Sequence, residues 1–175
     1  GQVPLADVAG TVARLAEIVA QRLAVRRELA AVGVAADPGG VDAGLERGRA
    51  ENKNIIVDFY TDWCHWCKVM DEKTFNNDSV ATKLSERFVT VRINAESPTE
   101  SATFQGKNFT NIELTRAFQV TGFPSLAFIS PELEVITVIP GYIQADQFSY
   151  ILDYIDQECY KKKMSFEEFM KRKGE

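Results

Sequence analysis

An α/β fold, a central mixed β-sheet flanked by helices, follows from three features of this chain. Apolar, β-branched runs at 54–60, 88–94, 125–130 and 135–139 read as strands. They are interleaved with helical patterns at 41–53, 68–75, 80–87 and 113–120, and a further helical stripe follows the last of them. The final two strands are separated only by residues 131–134, a hairpin-sized connection. Strand–helix alternation gives parallel neighbours and a hairpin gives antiparallel ones, so the sheet is expected to be mixed and covered on both faces.

Taken in order, the chain opens with Leu5, Val8, Val12, Leu15, Val19 and Leu23 at three- and four-residue spacing, an amphipathic helix reaching about Val32. The Gly- and Pro-bearing stretch 33–40 stops it. Residues 1–40 are therefore expected to be a helical extension. It would bury its apolar stripe on its own domain or on a sister chain, which makes a homo-oligomer through residues 1–40 one expectation. A dedicated partner-binding helix is the alternative. The first fifty residues contain no Lys, Phe or Asn, whereas every lysine and phenylalanine lies beyond them. An added helical segment, a domain boundary or an unusual N-terminus would each give that shift, and the main domain is expected over 41–163.

Within it, a short polar helix at 41–53 leads into the strand at 54–60. Residues 76–79 look like a break carrying a new N-cap, ahead of a helix to about Arg87. Residues 95–110, polar and with Ser, Pro, Gly and Asn among them, read as a surface loop. Phe148, Ile151, Leu152, Ile155 and Cys159 mark the buried stripe of a closing helix. A tail over 164–175 holds one more short amphipathic helix, capped by Ser165.

A net charge of −5 argues against nucleic acid as a partner. No apolar run approaches the roughly 18 residues needed to span a bilayer. The chain starts at Gly1 rather than Met, which points to a processed or trimmed N-terminus.

Chemistry concentrates at Trp63-Cys64-His65-Trp66-Cys67, where the apolar strand gives way to a helix. A thiol at a helix N-terminus meets unpaired backbone N–H groups and the positive end of the macrodipole, and both favour thiolate. A second thiol one turn on can attack a mixed disulfide and release a reduced partner. Zinc is the competing use of such a pair. A structural site wants four ligands, yet the chain has three cysteines in all and its lone histidine is His65, so no metal is expected. Cys159 lies on an apolar stripe and reads as a buried small hydrophobe. Trp63 reads as a wall of the site, and Trp66 as a partly exposed contact for partners. Asp58, a carboxylate inside an otherwise apolar strand, is the most informative single charge, because unpaired burial is costly.

Residues 57–68, together with Gly122-Phe123-Pro124-Ser125, resemble the thioredoxin superfamily. The stretches 75–80 and 88–91 are most similar to the branch holding the C-terminal domain of the transmembrane thiol:disulfide interchange protein and related single-domain thioredoxin-like proteins. The resemblance covers about 41–160 and implies the thioredoxin fold. It further implies that Cys64 is an exposed nucleophile and Cys67 a buried resolving thiol. Pro124 aligns with the family's cis-proline, whose loop, with Gly122 and Phe123, meets the substrate chain. Asp58 aligns with the buried acid that moves the resolving cysteine's proton. Arg92 stands where thioredoxin has a lysine, and would hold Asp58 more firmly ionised. His65, when protonated, favours thiolate at Cys64, whereas Asp62, Asp71 and Glu72 oppose it.

The resulting expectation is a thiol–disulfide oxidoreductase that reduces protein disulfides and uses no cofactor. It would be resupplied by an upstream electron donor, a reductase or a membrane electron carrier, in an extracytoplasmic (periplasmic) setting by resemblance, with the cytoplasm as the alternative. A disulfide oxidase or isomerase of the same fold, or a binding and oligomerisation module with a secondary CxxC, are the competing readings.

Overall fold

The strand Asn54–Tyr60 (β1) lies at the centre, and the computed structural model describes residues 40–174 around it. The helix expected over 5–32 and the oligomer through residues 1–40 lie outside the described residues. β1 pairs in parallel with Phe88–Asn94 (β2) on one side and antiparallel with Ser125–Ile129 on the other. Calling the next two strands β3 (Ser101–Phe104) and β4 (Lys107–Thr110), Ser125–Ile129 is β5 and Val135–Pro140 is β6. The main sheet is four-stranded and mixed, in the order β2-β1-β5-β6.

Side chains alternate across these strands, and the two faces carry separate apolar cores. Ile55, Val57 and Phe59 point to one face, against the helix Gly40–Glu51 (α1), the helix Asn111–Ala117 (α4) and β3. Ile56 points to the other, with Leu126, Phe128 and Phe88. That second face is covered by His65–Met70 (α2) and the π-helical turn Asp71–Phe75 that continues it. Asp78–Arg87 (α3) and Ala145–Asp156 (α5) complete the layer. Asp58 and Arg92 share parity with Ile56 and Phe88 and so face the α2 side. Phe148 on α5 sits at the middle of this core, with ring centroids 5.7 Å from Phe75 and 6.5 Å from Phe128.

The sequence expected one helix over 68–75. Instead α2 starts at His65, with Cys64 as its N-cap, and widens into π-helical geometry at Asp71. The widened turn is tied across the core, where the Thr74 hydroxyl donates to the Ile143 carbonyl at 2.5 Å. Residues 95–110 are not simply a surface loop, because β3 and β4 pair in a hairpin closed by Gln105 and Gly106, both at positive φ. The hairpin is anchored by Ala102, which is fully buried, with Phe104 and Phe109 packed against the same core. α4 begins two residues earlier than the sequence pattern suggests, since Thr110 and Glu113 form a reciprocal capping box. Cys159 lies beyond the end of α5, yet it is buried, and its thiol is free. The tail helix Phe166–Lys173 (α6) carries the second capping box, between Ser165 and Glu168.

Candidate active site

The site stands where β1 ends and α2 begins. Cys64 and Cys67 are joined as a disulfide with Cα atoms 5.3 Å apart. Cys64 also caps the helix, its Sγ accepting a hydrogen bond from the Cys67 backbone N–H at 3.1 Å. The first turn of α2 thus directs a backbone donor at the sulfur that would carry negative charge.

Cys64 was expected to be exposed. In this disulfide form it is only 3% exposed, as buried as Cys67 at 4%. The capping role turns its sulfur toward the helix end and its bonded partner, while the neighbouring aromatics take the outer positions. Trp63 is 67% and Trp66 54% exposed, so Trp63 stands outward rather than forming a closed wall. Trp63 meets the Phe123 ring edge-on at 6.2 Å, which links the motif to the downstream loop. Trp66 lies between His65 and Tyr142, at 5.6 Å and 5.5 Å. Sequence reasoning passed over Tyr142, since nothing local marks a tyrosine that stacks on a residue so far back in the chain.

The Phe123–Pro124 peptide bond is cis. The Pro124 carbonyl accepts a hydrogen bond from Gly141 N–H at 2.8 Å, and the Gly122 carbonyl accepts one from the Ser125 hydroxyl at 2.7 Å. A side chain added at Gly122 would point into open space, so this loop borders a free surface.

On the α2 side of the sheet, Arg92 bridges two acids. Its Nε is 3.0 Å from Asp58 Oδ2 and its Nη1 is 3.2 Å from Asp71 Oδ2, while its guanidinium lies 4.6 Å above the Tyr60 ring. The Nε contact is an ion pair out of line for a hydrogen bond, and neither Asp58 oxygen has a hydrogen-bond donor. The sequence expected Arg92 to hold Asp58 more firmly ionised. Arg92 does pull its pKa down, but burial outweighs that pull and, with some help from Asp71, lifts it to about 6. Desolvation of a fully enclosed carboxylate exceeds the attraction of one arginine that is shared with a second acid. Asp71 is itself raised, chiefly by partial burial.

Chemically, the arrangement offers a dithiol–disulfide pair with one sulfur set at a helix start, and a buried acid on the same side of the sheet that titrates close to neutrality. Among the described residues no helix is long and apolar enough to cross a membrane.

Comparison with known proteins agrees with this architecture. Residues 41–156 match the thioredoxin-like domain family. The chain is 29% identical over 110 residues to thiol:disulfide interchange protein DsbD of Actinobacillus pleuropneumoniae, a match taking in 62% of this chain but only 17% of that protein. It is 31% identical over 98 residues to DsbD 2 of Pseudomonas aeruginosa, covering 55% of this chain and 15% of the relative. Among solved structures, a thioredoxin-fold protein from Helicobacter pylori superposes with a TM-score of 0.62 at 18% identity, over 70% of this chain and 80% of its own. The oxidised DsbD C-terminal domain of Neisseria meningitidis gives 0.51 at 24% identity, over 70% of this chain and 96% of that domain. At those identities the two structures bear on the fold alone. With its strands, its helices and its Cys64–Cys67 pair in place, the chain belongs to the thioredoxin-like domain family.

Proposed function

We propose that the protein is a thiol–disulfide oxidoreductase that reduces disulfides in protein partners. The observation that carries this reading is the bonded Cys64–Cys67 pair at the start of α2, with the Cys67 N–H directed at Cys64 Sγ. In the reduced protein, the Cys64 thiolate attacks one sulfur of the partner's disulfide. A Cys64–partner disulfide forms and the other partner sulfur leaves as thiolate, which takes up a proton. Cys67 then loses its proton to Asp58 and attacks Cys64 Sγ. The Cys64–Cys67 bond forms as the Cys64–partner bond breaks, the partner's second sulfur leaves as thiolate and takes up a proton, and the partner departs with its disulfide reduced by two electrons in all. An upstream dithiol donor, a reductase or a membrane electron carrier, restores the pair.

The reductive direction is supported by charge. Asp62 precedes α2, Asp71 and Glu72 follow it in the π-helical turn, and Asp58 is buried on the α2 side of the sheet; an ionised Asp58 disfavours a nearby thiolate. Strong oxidants owe their potential to a stabilised reduced form, which these acids oppose. Trp63, Trp66, Phe123 and Gly122 supply the surface for the partner chain, with Pro124 and His65 beside it. The likeness to proteins named for thiol:disulfide interchange favours an extracytoplasmic setting.

Equilibration of the Cys64–Cys67 pair against glutathione buffers tests the direction. The expected potential is more negative than about −200 mV, and a value near −120 mV would reverse it to oxidation. A Cys67→Ser variant should accumulate a mixed disulfide with an oxidised protein substrate, whereas Cys64→Ser should form none.

A further inference from the structure

We propose that Glu96 is a positioning residue that holds Trp63 ready for a polypeptide partner and thereby sets recognition of protein disulfides. The proposal rests on the exchange reading above and assigns a part to a residue outside the motif and outside the cis-proline loop.

Trp63 is the most exposed large apolar side chain among the described residues, at 67%. An indole so open to water ordinarily samples several rotamers. Here its Nε1–H donates to Glu96 Oε2 at 2.8 Å, while its ring meets Phe123 edge-on at 80°. One contact fixes the polar corner and the other the apolar edge, so both rotatable bonds are restrained without the ring being buried.

The backbone that carries this carboxylate is itself anchored. Glu96 N–H donates to Asn94 Oδ1 at 3.2 Å, and Asn94 Nδ2 donates to Asp62 Oδ2 at 3.2 Å, directly beside Trp63. Ala95 N–H donates to the Tyr60 carbonyl at 2.8 Å, tying the segment to the end of β1. Asn111 Nδ2, at the start of α4, donates to the Asn94 carbonyl at 3.1 Å. Glu96 thus projects from a rigid corner joining β1, β2 and α4, and is no free loop acceptor.

An exposed tryptophan is a strong interface anchor, and one already ordered loses less freedom when a partner covers it. A charged acceptor makes the restraining bond stronger than a neutral one would. The expected signature is in binding rather than in the chemical step.

The test uses the full chain and an oxidised protein substrate, with Glu96→Ala and Glu96→Gln variants. Removing the acceptor should raise KM about fivefold with kcat retained, the size expected for losing one pre-ordered side chain. Glutamine keeps an amide oxygen for the indole and should stay within twofold of the parent. In a Trp66→Phe background, fluorescence anisotropy decay of Trp63 should report faster local motion for the alanine variant only. An unmoved KM, an unmoved anisotropy, or a glutamine variant no better than alanine would overturn the assignment while the exchange reading stands. A parent chain with no turnover at all would sink both.

Discussion

Asp58 and Arg92 are directly opposed across the parallel β1–β2 pair, and the Arg92 Nε lies 3.0 Å from Asp58 Oδ2. The register alone sets this ion pair on the side of the sheet that carries α2. The arginine divides its charge between Asp58 inside and Asp71 nearer the surface. What the pairing leaves uncompensated appears as a pKa near 6 rather than a suppressed one.

A stability prediction follows. The folded pKa of about 6 is above the roughly 3.9 of an unperturbed aspartate, so the folded state binds the proton more tightly. Asp58's contribution is therefore fully present below about pH 4 and is lost as pH rises through about 6, by roughly 3 kcal/mol in total. Asp58→Asn cannot titrate. Its stability relative to the parent should improve by about that amount between about pH 4 and pH 8, as read from urea unfolding midpoints.

Removing the cation should move the acid further. With Arg92→Gln, Asp58 loses its main opposing attraction, and its pKa should climb above about 6. A carbon-detected NMR titration of the Asp58 carboxyl measures this directly, and a fall would contradict the balance drawn here.

The same carboxylate should be visible in the rate. If Asp58 accepts the Cys67 proton, disulfide reduction by the parent should rise with pH through an apparent pKa near 6. Asp58→Asn should lose that rise and run roughly 10–100-fold slower near neutral pH. Stopped-flow reduction of a protein disulfide across pH is the measurement.

Gly48 offers a test of packing away from the site. It is buried in α1, and a Cβ there would collide with Cγ1 and Cδ1 of Ile55. Alanine is the better helix former by about 1 kcal/mol, but overpacking against a β1 side chain should outweigh that. Gly48→Ala should lose roughly 1–2 kcal/mol in urea unfolding, and an Ile55→Val partner substitution should recover part of it.

The main sheet could be read from sequence because its strands are apolar and β-branched over their full length. Residues 54–60 and 88–94 form strands at the expected bounds. The β3–β4 hairpin escaped notice for two physical reasons. Its strands are only four residues long and mostly polar, and its turn is Gln105–Gly106 rather than Asn–Gly. At the site, the CxxC motif and the proline stand out locally. Tyr142 and Glu96 do not, since their roles arise from contacts with residues distant in sequence. The net direction at Asp58 was not legible, because sequence names the opposite charge that pulls its pKa down but not the depth of burial that outweighs it.

The disulfide described above closes a loop between residues only three apart in sequence. Cross-links stabilise a fold chiefly by restraining the unfolded chain, a gain that grows with the logarithm of loop length and is small for a loop this short. Either redox form should therefore keep the same scaffold, upheld by two cores that do not depend on the sulfurs. Such a molecule can be charged and discharged through many cycles with no refolding step between them.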